Sequence, residues 1–123
     1  MRGEINLLQE TEEVFYRYGY SWQDIKWIGS HSKNFAHKDV EISVQNFVEI
    51  ARETNYDSGY GYEEICTDLV IVMIDGTWFT RGSYDGAEWW EYHCIPRRPT
   101  NKVVTKNLKT SYESVRLVDN LEK

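Results

Sequence analysis

The sequence predicts a single α+β domain in which two helices pack on an antiparallel sheet of three to four strands. Two stretches, residues 4–18 and 42–54, have apolar side chains at helical spacing. A third stretch, residues 68–94, has two Asp-Gly pairs between strand-like runs, the pattern of a β-meander. The chain has 123 residues, of which 41% are hydrophobic and 28% charged, enough for one core.

The first helix is expected over residues 4–18, with Gly19 ending it because glycine adopts a left-handed conformation without strain. Its apolar side carries Leu7, Leu8, Val14, Phe15 and Tyr18, and the acids Glu10, Glu12 and Glu13 lie off that side. Ser21 and Asp24 have the spacing of a capping turn. Residues 25–29 then alternate as a possible fourth strand, and residues 31–39 read as a polar loop.

The second helix is expected over residues 42–54, because Ser43 is a good N-cap ahead of an apolar stripe. That stripe consists of Val44, Phe47, Val48 and Ala51. Residues 55–62, with two glycines and three tyrosines, predict an ordered aromatic turn.

The meander is predicted from two-residue type I′ turns at Asp75-Gly76 and Asp85-Gly86. This fixes the register, with Met73 opposite Trp78 and Gly82 opposite Trp89. One face then carries Val70, Val72, Ile74, Phe79, Arg81, Trp90, Tyr92 and Cys94. The other carries Leu69, Ile71, Met73, Trp78, Thr80, Gly82, Trp89, Glu91 and His93.

The Trp90 face is the more continuously apolar and is predicted to pack under the helices. The Trp89 face is either covered by the N-terminal segment or presents an aromatic surface to a partner. Large exposed apolar patches are uncommon on monomers, which favours cover.

Charge divides the chain into an acidic body and a basic extension. Residues 1–95 hold 7 Lys/Arg and 17 Asp/Glu, a net −10, whereas residues 96–123 hold 7 and 3, a net +4. Pro96 and Pro99 should end the last strand and begin the extension. An acidic body disfavours direct nucleic-acid binding and favours a partner with a basic surface.

Other classes of function find little support in the sequence. No apolar run approaches the roughly 18 residues of a membrane span, and the N-terminus lacks a signal peptide's apolar segment. Cys66 and Cys94 are expected to be free thiols in a reduced, cytoplasmic protein. The spacings of His31, His37 and His93 match no metal site, and no catalytic constellation or cofactor motif is present, so no enzyme is expected.

The run "NYDSGYG", followed by "DLVIVMIDGTWFTRGSYDGAEWWEY", resembles a group of small proteins of phages and mobile elements in low-GC Gram-positive bacteria. The resemblance covers roughly residues 42–99. The matching positions are Tyr56, Asp57, Ser58, Gly59, Gly61, Asp68, Leu69, Trp78, Arg81, Tyr84, Asp85, Gly86, Glu88, Trp89 and Trp90. The group is largely uncharacterised. Small acidic proteins encoded by phages and mobile elements are, however, often inhibitors of bacterial defence, including anti-CRISPR proteins.

The resulting hypothesis is a non-enzymatic inhibitor of a host nucleic-acid-binding effector, with a CRISPR nuclease as the leading example. Carboxylates would stand in for phosphates in the effector's basic groove, and aromatic side chains would anchor the contact. The candidate binding residues are Asp57, Tyr60, Tyr62, Glu63, Glu64, Asp68, Trp78, Asp85, Glu88, Trp89 and Glu91, with Glu10, Glu12 and Glu13 as a second acidic surface. The alternative is a small phage enzyme or accessory protein that uses the face of Trp78, Glu91 and His93.

Overall fold

The computed structural model describes residues 4–32, 38–57 and 63–100, together with positions 104, 106, 108 and 109. In chain order its elements are β1 (Glu4–Asn6), α1 (Leu7–Tyr18), a 3₁₀ turn (Trp22–Asp24), β2 (Ile25–Ser32), β3 (Lys38–Ile42), α2 (Val44–Arg52), β4 (Asn55–Asp57), β5 (Val70–Met73), β6 (Trp78–Tyr84) and β7 (Ala87–His93). A five-stranded antiparallel sheet has the order β3-β2-β5-β6-β7, and β1 pairs with β4 in a second sheet. The α+β class is confirmed, but the main sheet is larger than the three to four strands predicted.

Both helices have the predicted caps. Gly19 ends α1 at a φ of 81°, and the Ser43 side chain accepts a hydrogen bond from the Asn46 backbone N–H at the start of α2. The prediction that the first helix begins at residue 4 is wrong, because residues 4–6 pair with β4 instead. The Asn6 side chain then caps α1 by accepting from the Gln9 N–H.

The strand at residues 25–29 is confirmed and extends further, and the predicted polar loop at residues 31–39 is wrong in part. β2 pairs with β5 on one side and with β3 on the other, from Ile28 opposite Ile42 to His31 opposite Asp39. β2 and β3 therefore extend the sheet on the β5 side of the meander, and this accounts for the two strands beyond it.

The first predicted turn is wrong by one residue. Ile71 lies opposite Phe79 and Val72 opposite Trp78, so three residues, numbers 74–76, form the loop. Gly76 takes a φ of 91°, which fits a three-residue loop that closes with a left-handed glycine. A one-residue shift exchanges the two faces of a strand. Leu69, Ile71 and Met73 therefore face the core, whereas the prediction assigned Val70, Val72 and Ile74 to it.

The second predicted turn is confirmed. Asp85 and Gly86 both have positive φ, at 53° and 87°, as a type I′ turn requires. The register of β6 and β7 is the predicted one, with Gly82 opposite Trp89 and Arg81 opposite Trp90.

The core lies between the main sheet and both helices. Its buried apolar residues are Leu7, Val14, Phe15, Ile28, Phe47, Ala51, Tyr56, Ile65, Leu69, Ile71, Met73, Phe79 and Trp90. The Phe15 ring of α1 packs on Phe79 of β6, and the Trp90 indole N–H donates to the Thr11 hydroxyl. The Trp90 face is thus under the helices as predicted, whereas the expectation that the N-terminal segment covers the Trp89 face is wrong.

No helix in the described ranges is long and apolar enough to cross a bilayer. Residues 96–100 of the predicted basic extension are exposed, and most of the remainder lies outside the described residues. The division of the chain at residue 95 stays a prediction.

Candidate binding surfaces

The face of the main sheet opposite the helices carries a set of partly exposed aromatic and polar side chains, here called the open face. It consists of Trp27, Val70, Val72, Trp78, Thr80, Trp89, Glu91 and His93. None of these eight belongs to the core cluster that the helices form with the sheet. Trp27, Val72, Trp78 and His93 are aligned across four neighbouring strands.

The centre of the open face is a hydrogen-bonded group of side chains on β6 and β7. The His93 Nε2 atom lies 2.8 Å from the Thr80 hydroxyl, and the His93 ring stacks on Trp78 with centroids 5.5 Å apart. The Trp89 indole N–H donates to a Glu91 carboxylate oxygen at 3.3 Å. The other Glu91 oxygen is 4.0 Å from His93 Nε2. The structure therefore brings together the three residues of the alternative hypothesis, along with Trp89.

Two glycines allow large side chains to lie flat on the open face. A Cβ atom at Gly82 would stand 2.5 Å from the Glu91 carboxylate. A Cβ at Gly29 would meet the Val40 carbonyl oxygen at 2.5 Å and the Trp27 ring at 3.2 Å. At Gly29 the close atom belongs to the backbone, so a side chain there would require the backbone to shift. At Gly82 the close atoms belong to the Glu91 side chain, which can turn aside.

A second surface, here called the acidic end, lies at the turn between β6 and β7 and consists of Glu63, Glu64 and Asp85. All three are exposed, and none forms an ion pair with Lys or Arg in the part of the chain that the structure describes. The Ser83 hydroxyl donates to Glu63 at 2.8 Å, and this hydrogen bond lowers the pKa of the Glu63 carboxyl. Ser83 pairs with Glu88 on the helix side of the sheet, whereas Trp89, one residue further along β7, is on the open face. The acidic end therefore lies at the turn end of the sheet, beyond the edge of the open face.

The second predicted acidic surface is divided by the structure. Glu12 and Glu13 are exposed on α1 beside the exposed ring of Tyr16. Glu10 points to the interior, where it reaches Arg81. Only two of the three predicted acids therefore contribute charge to that surface.

The placement of Glu88 corrects a prediction. It is 4% exposed, so its carboxylate is not available as a phosphate substitute. One Glu88 oxygen pairs with Arg81 at 3.2 Å, and the two oxygens accept hydrogen bonds from the backbone N–H groups of Glu64 and Ile65. Glu88 therefore fixes residues 64–65 against the sheet rather than contacting a partner.

Arg81 is the centre of this interior network. Its guanidinium bridges Glu88 and Glu10, donates to the Tyr56 hydroxyl, and lies 4.7 Å from the centroid of the Trp90 ring. Burial raises the pKa of the Glu10 carboxyl although Arg81 acts in the opposite direction. One guanidinium beside two carboxylates leaves this interior region with a net charge of −1 when both acids are ionised.

Asp57 and Asp68 are less exposed than the acids of the acidic end. Asp57 is half-buried at the end of β4, opposite Glu4. Asp68 is half-buried and accepts a hydrogen bond from the Ser30 hydroxyl. Tyr60 and Tyr62 lie outside the described residues.

Sequence reasoning missed an apolar groove of about 440 Å³ between α2 and residues 63–69. It is lined by Leu7, Ile42, Phe47, Ile50, Ala51, Thr54, Glu63, Glu64, Ile65, Cys66, Thr67 and Leu69. The signal that could have indicated it is Ile50, which continues the apolar side of α2 beyond what the core needs and is 52% exposed.

Metal binding and thiol chemistry find no geometric support in the described residues. No three His, Cys, Asp or Glu side chains among residues 4–32, 38–57 and 63–100 or the four later positions are grouped to hold a metal ion. Burial raises the pKa of the Cys66 thiol, so the less nucleophilic protonated form predominates at neutral pH.

Comparisons of the chain with protein-family models, with curated proteins and with solved structures found no match. The open face, the acidic end and the groove are therefore the features that bear on function.

Proposed function

We propose that the protein is a small acidic binding protein of phage type that inhibits a nucleic-acid-binding effector in the cytoplasm of a bacterial host. The observation that carries the proposal is the acidic end, where exposed carboxylates form no ion pair with Lys or Arg among the described residues, at the turn end of a sheet that has aromatic side chains on its open face. The partner is a protein with a groove lined by Lys and Arg, such as a CRISPR nuclease. Inhibition results from occupation of that groove, so no chemical step is required.

The acidic end suits this role because one carboxylate, that of Glu63, and the backbone at Glu64 and Asp85 are held in place before binding. Glu63 is fixed by Ser83, the backbone at Glu64 by the buried Glu88, and Asp85 by its tight turn. A basic groove that closes on fixed charges loses little side-chain entropy, which favours affinity. Negative charge that no Lys or Arg in the described ranges offsets also steers a basic partner toward this end during diffusion.

The open face supplies the anchors. Trp78 and Trp89 are partly exposed, with Glu91 beside them as a hydrogen-bond acceptor. Tryptophan is enriched among the residues that contribute most to interfaces, because a rigid ring buries a large area. A guanidinium of the partner can stack on either indole while it pairs with Glu91.

The test uses a purified CRISPR nuclease with its guide RNA, with DNA cleavage and binding kinetics as the measurements. Association should slow as salt rises from about 0.05 M to about 0.5 M, because screening shortens the range of the attraction. Replacing Glu63 and Glu64 together with lysine should weaken binding by about a thousandfold. Each contact at about 4 Å is worth about 1 kcal/mol in water and changes sign, so the two sites together lose about 4 kcal/mol. Trp89→Ala should speed dissociation and leave the salt dependence unchanged.

The matched control replaces Glu41 and Glu49 with lysine. Both are exposed, on the far edge strand β3 and on the solvent side of α2, and the change in net charge is the same. Affinity should stay nearly constant in this control. Equal losses in the two double variants, or tight binding that is independent of salt, would contradict nucleic-acid mimicry at the acidic end.

A second candidate, a small phage enzyme or accessory protein, is favoured by one observation, the cluster of Trp78, Glu91 and His93. A histidine near a carboxylate can transfer protons. The His93→Ala variant distinguishes the two functions. Loss of a measurable turnover with unchanged affinity for the nuclease would favour the enzyme.

A further inference from the structure

The apolar groove between α2 and residues 63–69 is open to solvent, and one of its walls is hydrogen-bonded to the sheet. Its floor is formed by Phe47, Ala51 and Leu69, which are buried core residues. One wall, residues 63–66, is held by hydrogen bonds from the N–H groups of Glu64 and Ile65 to the buried Glu88 carboxylate. The groove therefore exists before any partner arrives.

The rim of the groove is acidic on one side. Glu63 and Glu64 line it, and both are exposed at the acidic end. The opposite rim carries the exposed side chain of Ile50. An apolar floor beside two carboxylates is complementary to an apolar side chain with positive charge next to it, and repels a segment that carries acids.

We propose that this groove takes one large apolar side chain of the partner protein, from a segment in which Lys or Arg residues flank that side chain. This inference rests on the proposed function, because it takes the partner to be basic. It adds to that function the apolar side chain that the partner inserts into the groove. The groove supplies the desolvated anchor, and Glu63 and Glu64 select for the flanking cations.

The probe is a capped peptide of one leucine with two lysines on each side, titrated into ¹⁵N-labelled protein and followed by NMR. Saturable shifts are expected at the amides of Ile50, Thr54, Ile65 and Thr67. A peptide with serine in place of leucine should bind about ten- to a hundredfold more weakly, because the burial of a leucine side chain is lost. A peptide with glutamates in place of the lysines should not bind.

Two matched variants localise the binding. Ile50→Ser should weaken the peptide about tenfold, since Ile50 lines the groove and loses apolar contact area. The control is Ile74→Ser, in the loop between β5 and β6. The Ile74 side chain is 64% exposed and that of Ile50 is 52% exposed, and the Ile74 variant should bind the peptide normally. Circular dichroism of both variants checks that the fold is retained.

Three results would overturn the proposal. The leucine and serine peptides could bind equally, with shifts at Glu63 and Glu64 alone. Binding would then depend on charge, and the groove would not be the binding site. The shifts could instead map to the open face. They could also appear on concentration of the protein alone, which would identify a second copy as the occupant. Groove binding by the leucine peptide without any inhibition of the nuclease would leave the groove in place and contradict the proposed function.

Discussion

Replacing Arg81 with methionine should destabilise the protein by about 4 kcal/mol at neutral pH. The Arg81 side chain is 3% exposed and lies 3.3 Å from Glu10 and 3.2 Å from Glu88. Methionine replaces much of the buried stem but leaves two buried carboxylates without a cation. Breaking a buried ion pair by removing one partner costs about 3–5 kcal/mol, and loss of the cation over Trp90 adds about 1 kcal/mol or less.

The assay is urea unfolding followed by tryptophan fluorescence. Since denaturant slopes for small proteins are about 1–3 kcal/mol per molar urea, the midpoint should fall by about 2 M. A domain of this size has a stability of about 5–15 kcal/mol, so the variant should still fold, though with little margin. Arg81→Lys keeps the charge without the bidentate geometry. Its free energy of unfolding should fall by about half as much as that of Arg81→Met.

The pH dependence gives an independent check. Burial already raises the pKa of Glu10 in the folded protein, and removal of Arg81 should raise it further. A carboxyl with a raised folded-state pKa binds more protons folded than unfolded, so stability increases as pH falls through that pKa and decreases as pH rises. The loss of stability in Arg81→Met, relative to the wild type, should therefore be smaller at about pH 5 than at about pH 7.5.

The Glu10→Gln variant is the matched control. It changes the network from one cation and two anions to a neutral pair, so stability should change by less than about 1 kcal/mol. In the double variant with Arg81→Met the combined loss should be smaller than the sum of the two single losses. The reasoning is refuted if Arg81→Met loses less than about 1 kcal/mol at neutral pH, or the same amount at both pH values.

Three further outcomes are expected. Trp90→Ala should cost about 3–5 kcal/mol in urea unfolding and Trp89→Ala clearly less, because only Trp90 is in the core; equal losses would mean that both faces are covered. Gly76→Val and Gly86→Val should each lower the melting temperature by about 4 °C or more, since valine resists positive φ, and an unchanged melting temperature would contradict the turn geometry. Hydrogen bonds from neighbouring hydroxyls lower the pKa of Asp75, so its contribution is lost as pH falls through the folded-state pKa. As pH falls below about 4, the melting temperature of the wild type should therefore drop by more than that of Asp75→Asn.

The two Asp-Gly turns show how far local sequence determines the fold. The turn at Asp85-Gly86 was predictable because both residues tolerate positive φ and the flanking strands have distinct faces. The turn at Asp75-Gly76 was not, because an Asp-Gly pair also suits a three-residue loop. The preceding run "LVIVM" is apolar at every position, so periodicity could not decide which side chains face the core.

The candidate site was predictable in part. Glu63, Glu64 and Asp85 are exposed, as surface acids usually are. Glu88 could not be recognised as buried, because its partners are the guanidinium of Arg81 and backbone N–H groups 23 and 24 residues away. The groove was not predicted either, because it forms where α2 lies beside residues 63–69 and Leu7, and no local pattern specifies that arrangement.

The division of the sheet into a core face and an open face has a spectroscopic consequence. Trp27, Trp78 and Trp89 are on the open face, whereas Trp22 and Trp90 pack with the core. Intrinsic emission should therefore separate into a fraction that a small quencher such as acrylamide reaches and a fraction that it does not. The His93 ring stacks on Trp78, so His93→Ala should change the emission of that indole. The molecule thus carries an unlabelled optical reporter on the surface proposed to meet the partner.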